Sequence, residues 1–425
     1  MRVSMRFITI LFFFLPLFFK TGAITYRWRF WPRIDMAFDT RRSVCTDDGS
    51  TILFPLPPDY DSNGNDINAD EFFGLSPSVS KISLKVSDVK VKGCEFGAYL
   101  ESDFTGVIDS TGTSTNTIGL LKMRYAFITA KWAKTKLIIG NALHPIYPEH
   151  CSPNTVNFNG GMPMASYARY PLIGGYRMWD KLTLGATLYS EFLFQSLGPI
   201  GFSRTYIRRG LMPGICLTAE WTPQDFIFGA LFNWWRIEPA NYTSPASDAT
   251  KKYVTEAKVT SMIGSVWAGF KIGDLRINNQ VLYGQNGPAF DSLGGYAVSC
   301  LNETTGACTY TNIKFASGWS DWEYTKHATL TPGFFIGLSK SLGSGSKPVY
   351  LDPTTHKPTF YGFDDDLDQV FRFAPRITTK FYDIFVGFEV DWSKAWFGAM
   401  DCCGKHPQTT AVSAIRFLLQ THAEF

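Results

Sequence analysis

Through most of this chain apolar residues return at every second position, in segments of about ten, the pattern of a β-strand whose two faces meet unlike surroundings. In "RIDMAFDTRR" Ile34, Met36 and Phe38 oppose Asp35 and Asp39, and in "SKISLKVS" Ile82, Leu84 and Val86 oppose Lys81, Ser83 and Lys85. "KGCEFGAYLESDF" sets Phe96, Ala98 and Leu100 against Glu95, Gly97, Tyr99 and Glu101; "LLKMRYAF" sets Leu121, Met123, Tyr125 and Phe127 against Lys122 and Arg124. The segment "AIRFLLQTHAEF" alternates in the same way, with Ile415, Phe417 and Leu419 on one face and Arg416 and Gln420 on the other. Sixteen such segments can be read, two of them less regular. This predicts an all-β fold, a closed antiparallel transmembrane β-barrel of about 16 strands over residues 33–425, whose last strand closes against its first.

The connections supply a second test. If the last strand ends in the periplasm, "SDVK", "AKWAKT", "RMWDK", "TPQD", "IGD", "YTKH" and "TKFYD" are periplasmic turns, and all are short. The connections that alternate with them, from residues 44–77 to residues 395–409, are all longer. Membrane barrels sort their connections in this way, short turns inside and long loops outside.

Residues 1–23 carry Arg2 and Arg6, the apolar run "FITILFFFLPLFF" and the small-residue exit "TGA", which is the layout of a signal peptide cut after Ala23. Residues 24–32 then form a short periplasmic segment ahead of the barrel. Pro16 interrupts the apolar run, and no later stretch is long and apolar enough for a membrane helix. Removing the leader takes away Arg2, Arg6 and Lys20 and no acid, so the formal charge of the remainder is 40 − 3 − 37 = 0. Nucleic-acid binding needs a basic surplus to displace counterions, so that partner is excluded.

The eight cysteines show no zinc spacing, and neither a metal nor a cofactor is expected. Export to an oxidising compartment permits disulfides. Cys300 and Cys308, separated by "LNETTGA", are the simplest pair to propose. There is no "GxSxG" and the six histidines are scattered, so the chain is not expected to be an enzyme.

Strand parity turns Lys122, Arg124, Arg276, Arg372, Arg376 and Arg416 inward, with Arg169, and also Glu101 and Asp103. Two readings stand: cross-strand ion pairs that stiffen the wall, or a basic strip facing an acidic loop and focusing anions. Lys122, Arg124 and Arg169 border the long connection "HPIYPEHCSPNTVNFNGGMPM", and are the candidates for such a strip. That connection would fold inward as a constriction, with His144, Glu149, His150 and Asn159 as its polar residues. Inward glycines such as Gly97, Gly229, Gly333 and Gly337 suit an open lumen.

With the segments placed, "SVSKISLKVSDVKVKGCEFGAYLESDFTG", "IGLLKMRYAFITAKWAKTKLIIGNAL", "PNTVNFNGG" and "RFAPRITTKFYDIFVGFEVDW" resemble, in that order, the first hairpin, the next hairpin, the constriction-loop segment and the final hairpin of the DcaP-type outer-membrane porins. The likeness runs over residues 78–175 and 370–425. It implies a bacterial outer-membrane diffusion channel for small hydrophilic solutes, carboxylates among them, set in membrane lipid as a homotrimer. The family's helical extension ahead of the barrel has no counterpart in "ITYRWRFWPR", and its "GQTW" segment reads "GNAL" here. The alternative is a plugged structural or adhesive barrel acting through its outer loops.

Overall fold

A computed structural model describes residues 24–46, 49–108, 117–326, 329–345 and 347–425; the expected leader lies outside these. Twenty strands share one sheet. They are β1 (Thr25–Trp31), β2 (Arg33–Asp39), β3 (Phe72–Ser76), β4 (Lys81–Val91), β5 (Cys94–Ile108), β6 (Thr117–Lys131), β7 (Thr135–Leu143), β8 (Arg169–Trp179), β9 (Leu182–Tyr189) and β10 (Gly214–Trp221). There follow β11 (Phe226–Ile237), β12 (Val259–Ile272), β13 (Leu275–Gln285), β14 (Gly295–Leu301), β15 (Cys308–Tyr324), β16 (Leu330–Ser344), β17 (Phe360–Gly362), β18 (Leu367–Phe381), β19 (Ile384–Phe397) and β20 (Thr410–Ala423).

Every ladder is antiparallel. From β4 to β13 each strand pairs with the next. Pairing continues through β15, β16, β18, β19 and β20. Strand β2 lies between β3 and β20, in register with the latter from Arg33 opposite His422 to Asp39 opposite Arg416. Strand β1 pairs with β4.

The alternation sorts into an inside-out distribution. Ile34, Met36 and Phe38 are 44%, 40% and 36% exposed, while Asp35 and Asp39 between and beyond them are 6% exposed. Phe228 and Phe232, Val281 and Tyr283, Ile336 and Leu338, and Phe417 and Leu419 continue the exposed apolar rows. Asp103, Arg124, Asn233, Asp321, Arg372 and Glu389 are buried. A water-soluble protein sorts these residues the other way; a wall facing lipid needs this arrangement.

Four strands stand outside the expected segments. Strand β1 occupies residues expected as a short periplasmic lead: its alternating aromatics, Tyr26, Trp28 and Phe30, let it pair with β4 before Pro32, which has no N–H to donate, interrupts the strand. Strands β3, β14 and β17 arise within outer connections.

The first turn also lies later than "SDVK". Strand β4 runs on to Val91, with a register shift between Val86 and Val89, and Asp88 takes a φ of 68°. The reversal comes at Lys92 and Gly93, both at positive φ, as a two-residue hairpin turn requires.

A bulge corrects the facing of β6. Glu101 pairs with Tyr125 but Ser102 pairs with Met123, so Arg124 is the extra residue. Arg124 and Tyr125 therefore both face inward. From there Phe127 is inward, and Ile128, 55% exposed, is outward.

Two connections fill much of the interior. Residues 144–168 and the segment Thr51–Pro55, buried at every position, pack with inward side chains into a core that includes Ile146, Met164, Tyr170, Trp235, Phe290 and Phe335. The inward glycines serve this packing rather than opening space: a Cβ on Gly337 would lie 2.8 Å from Met164 Cγ, and one on Gly229 would fall within 2.0 Å of the Trp267 ring.

Candidate channel constriction

The connection 144–168 is pinned around one side of the wall by groups that chain order keeps far apart. Its near end is held by Gln280 Nε2, which donates to Ile146 O at 3.0 Å, and by Asn278 Nδ2, which donates to Ser152 O at 2.9 Å. Asn154 Nδ2 donates to Glu323. The carboxylate of Glu389 accepts from Val156 N at 2.8 Å and Asn157 N at 3.2 Å, and Asp391 accepts from Asn157 Nδ2 at 3.0 Å. Further on, Ser317 Oγ donates to Met164 O at 2.7 Å. These strands present short polar side chains inward at alternate positions, which is why an irregular backbone can lie against them with its own polar groups satisfied.

Arg372 secures both inner segments. Its Nη2 donates to Ile52 O at 3.1 Å and Leu53 O at 3.0 Å, its Nη1 donates to Met162 O, and its Nε lies 3.0 Å from Asp391. The side chain has no exposure at all. A guanidinium, with five donors in a rigid fork, suits this position better than an ammonium.

The tip of the connection carries Phe158 across to a cationic cluster. Its ring centre lies 5.7 Å from Arg33 Cζ, 5.7 Å from Lys81 Nζ and 5.0 Å from Arg124 Cζ. Arg33 is neutralised by Asp35, at 2.7 and 2.9 Å, and also donates to Val156 O. Arg124 bridges Glu101 at 2.7 Å and Asp103 at 2.6 Å. Tyr99 OH donates to the other Glu101 oxygen at 2.6 Å.

Lys81 and Arg169 differ from these. Lys81 Nζ lies 4.2 Å above the Trp31 ring and has no ion-pair partner among the described residues. Arg169 is 2% exposed, and its Nε and Nη1 make no hydrogen bond. Its guanidinium lies among the rings of Tyr125, Tyr167 and Phe194, at 5.6, 5.3 and 5.8 Å. Asp35 is taken by Arg33, and Glu101 and Asp103 by Arg124, so Lys81 and Arg169 stand as a cationic surplus. Cation–ring contacts return on the order of 1–2 kcal/mol, less than the several kcal/mol that burying an unpaired charge costs. The surplus favours an anion.

No protein-family model matches the sequence, nor does any curated protein. Solved structures do match. The outer-membrane channel DcaP of Acinetobacter baumannii superposes with a TM-score of 0.63 at 14% identity, over 96% of this chain and 99% of that one. OmpT of Vibrio cholerae, in a trimer form, gives 0.55 at 11% identity, over 95% and 100%. The anion-selective porin of Comamonas acidovorans gives 0.53 at 9%, again over 95% and 100%.

The chain has the fold of an outer-membrane porin. On this porin fold the residues expected to line a channel divide into two groups. Arg124, Glu101 and Asp103 meet at the loop tip, Arg169 lies beside them against the Tyr125 ring, and Lys122 stands opposite Asp103 in the ladder. Arg276, Arg372, Arg376 and Arg416 do not join them. Arg376 is paired with Asp321 at 2.8 and 3.0 Å and with Glu323 at 3.5 Å, Arg276 with Glu323 at 3.6 Å, and Arg416 with Asp39 at 2.7 and 2.8 Å. For these the cross-strand ion-pair reading describes the geometry.

The expected loop residues also divide. His144 is buried beside Tyr170, Tyr189 and Phe290, and burial pushes its pKa down to about 3, so it is a neutral packing residue. Asn159, fully buried, donates to Ile52 O and accepts from Gly161 N, shaping the loop from within. Glu149 and His150 are exposed, and His150 Nδ1 lies 3.1 Å from Glu220, whose hydrogen bond raises the histidine pKa.

All eight cysteines are free thiols. The register pairs Cys300 with Thr309 and Leu301 with Cys308, so Cys300 and Cys308 are diagonal neighbours facing opposite sides of their ribbon, and the proposed disulfide is not formed.

Sequence reasoning missed Arg33, Trp31, Phe158, Tyr167 and Phe194, and the entry of Thr51–Pro55 into the interior. The run "TILFP", bounded by Gly49 and paired prolines, was the available signal for the last.

Proposed function

We propose that the sheet closes through the β2–β20 ladder into a sixteen-stave transmembrane barrel in the bacterial outer membrane, with β1–β2 and β3–β4 each acting as one stave. The chain then acts as a water-filled diffusion channel for small hydrophilic solutes, preferring anions such as carboxylates, and does so without chemistry. The observation that carries this is Arg169, a guanidinium with two unpartnered nitrogens at the edge of the inner loop, seconded by Lys81. Selectivity in a pore follows from width and from the charges that line it, and here the charged cluster beside the inner loop holds two cations without a carboxylate. The trimer form of OmpT and the exposed apolar rows of the outer wall support a homotrimer in lipid.

The apolar interior built around Met164, Tyr170 and Phe290 favours a second reading, a plugged structural or adhesive barrel. Single-channel recording of the refolded chain under a salt gradient separates the two. Discrete steps with a reversal potential on the anion side, reduced by Arg169→Gln and Lys81→Gln, support the channel. Insertion without steps removes it in favour of the plugged barrel.

A further inference from the structure

The connection between β9 and β10 carries a patch that neither the lumen nor the barrel wall uses. Within it a short helix, Thr205–Arg209, brings Arg204, Arg208 and Arg209 together. Arg204 and Arg208 are exposed and Arg209 is half-buried, and none makes an ion pair among the described residues. No acidic residue lies between Glu191 and Glu220. Glu238, which follows β11 and whose N–H donates to Tyr206 O at 3.0 Å, faces Lys258 at 3.8 Å, while Glu191 is buried against Ser196.

Around these arginines apolar side chains point into solvent. Ile200 is 70% exposed, Phe202 55%, Leu211 79% and Met212 42%. The chain holds them there: Tyr206 OH donates to Gly201 O at 3.1 Å and accepts from Ile200 N at 2.8 Å, fixing the loop tip to the buried side of the helix. Leu211 adopts a φ of 61°, a left-handed conformation that disfavours a leucine, so its exposure is imposed rather than accidental.

The position of the patch follows from Arg236. It lies in the outward register of β11, alternate with exposed Phe232 and with Trp234, and its Nε and Nη2 donate to Gly210 O at 3.2 and 3.0 Å. Leu211 therefore emerges on the lipid-facing side of the sheet, at its outer rim, and continues the apolar row of β10 toward Leu217. Apolar side chains at a membrane boundary beside unpaired arginines form an interfacial docking surface, the first entering acyl chains and the second meeting anionic headgroups.

We propose that the loop Leu197–Met212 docks a membrane lipid of the outer leaflet whose headgroup is a net-anionic phosphomonoester, with Arg204, Arg208 and Arg209 on the phosphate and Phe202, Leu211 and Met212 among its acyl chains. This rests on the membrane-barrel reading and not on whether the lumen conducts. Guanidinium is the group of choice for phosphate, because its fork matches two oxygens at once.

The test is native mass spectrometry of the refolded chain in neutral detergent, titrated with phosphatidic acid, phosphatidylcholine or inorganic phosphate. Phosphatidic acid is expected to be retained in preference to phosphatidylcholine, and inorganic phosphate not at all. The triple variant R204Q/R208Q/R209Q should lose roughly a hundredfold in that affinity, at about fivefold for each arginine at a membrane surface. F202S/L211S should weaken lipid retention while its heat-modifiable electrophoretic mobility shows the barrel intact. Equal retention by wild type and triple variant, or equal retention of the two lipids, overturns the proposal while leaving the barrel standing. Retention of inorganic phosphate as strong as that of the lipid overturns it in favour of a soluble anion. Failure of the wild type to give a heat-modifiable barrel at all removes the membrane reading and the lipid site together.

Discussion

Arg372 lies 3.0 Å from Asp391 with neither side chain reaching solvent, and its remaining donors serve carbonyls of two separate connections. Those connections are 144–168 and the segment containing Ile52 and Leu53, so one side chain of β18 fixes both against the wall. Arg372→Ala is expected to leave Asp391 buried and unpaired, a loss of about 3–5 kcal/mol, and to free the loops. Recorded in a bilayer, the variant should show larger and noisier conductance. An unchanged, quiet trace would mean that the other loop anchors suffice.

Arg169→Gln removes one of the two cluster cations, with Lys81, that have no carboxylate partner among the described residues. The reversal potential under a salt gradient should move toward the cation side, and Arg169→Lys should hold most of the wild-type value. Arg276→Gln is the matched control, because Arg276 already faces Glu323 and is 39% exposed at its side chain. A shift as large in the control as in Arg169→Gln would refute the placement of the filter.

Phe158→Ala withdraws the ring that lies against Arg33, Lys81 and Arg124. Conductance is expected to rise with anion preference retained, since the charges stay. The cost in stability should be about 3–5 kcal/mol or less, the ring being only half-buried. Thermal unfolding followed by electrophoretic mobility checks the second part.

Glu191 gives a pH dependence whose sign is fixed. It is buried, accepts from Ser196 N at 2.8 Å and Ser196 Oγ at 2.7 Å, and burial raises its pKa from 4.5 to about 7. The folded chain then binds more protons than the unfolded chain between about pH 4.5 and 7, so this group's contribution to stability falls as pH rises through that window. The span is on the order of 3 kcal/mol. Glu191→Gln should flatten that part of the stability profile; an unaltered slope would assign it elsewhere.

Thiol labelling checks the cysteines. In the folded chain Cys45, Cys300, Cys402 and Cys403, all exposed, should react with a maleimide, and Cys94, Cys151 and Cys216, all buried, only after unfolding. Protection of Cys300 and Cys308 that reductant removes would restore the disulfide.

The alternation of small sets such as Ile34, Met36 and Phe38 against Asp35 and Asp39 was enough to read strands, their faces and the short turns, because side-chain direction in a strand has a period of two and depends on nothing distant. The sequence by itself thus determined an all-β chain with an apolar outside and a polar inside, and marked Arg124 and Arg169 as inward cations. It set Arg169 apart from Arg372 and Arg376 by its place beside the long connection but not as unpaired, since whether a guanidinium is spent depends on carboxylates and carbonyls brought to it from far along the chain. A single extra residue at Arg124 reversed the facing of Tyr125 and Phe127, which no count of alternation detects. Only the tertiary structure decided that His144 is packing, that Thr51–Pro55 enters the interior and that Phe158 closes on the cations, because loops are positioned by the walls they meet and not by a period of their own.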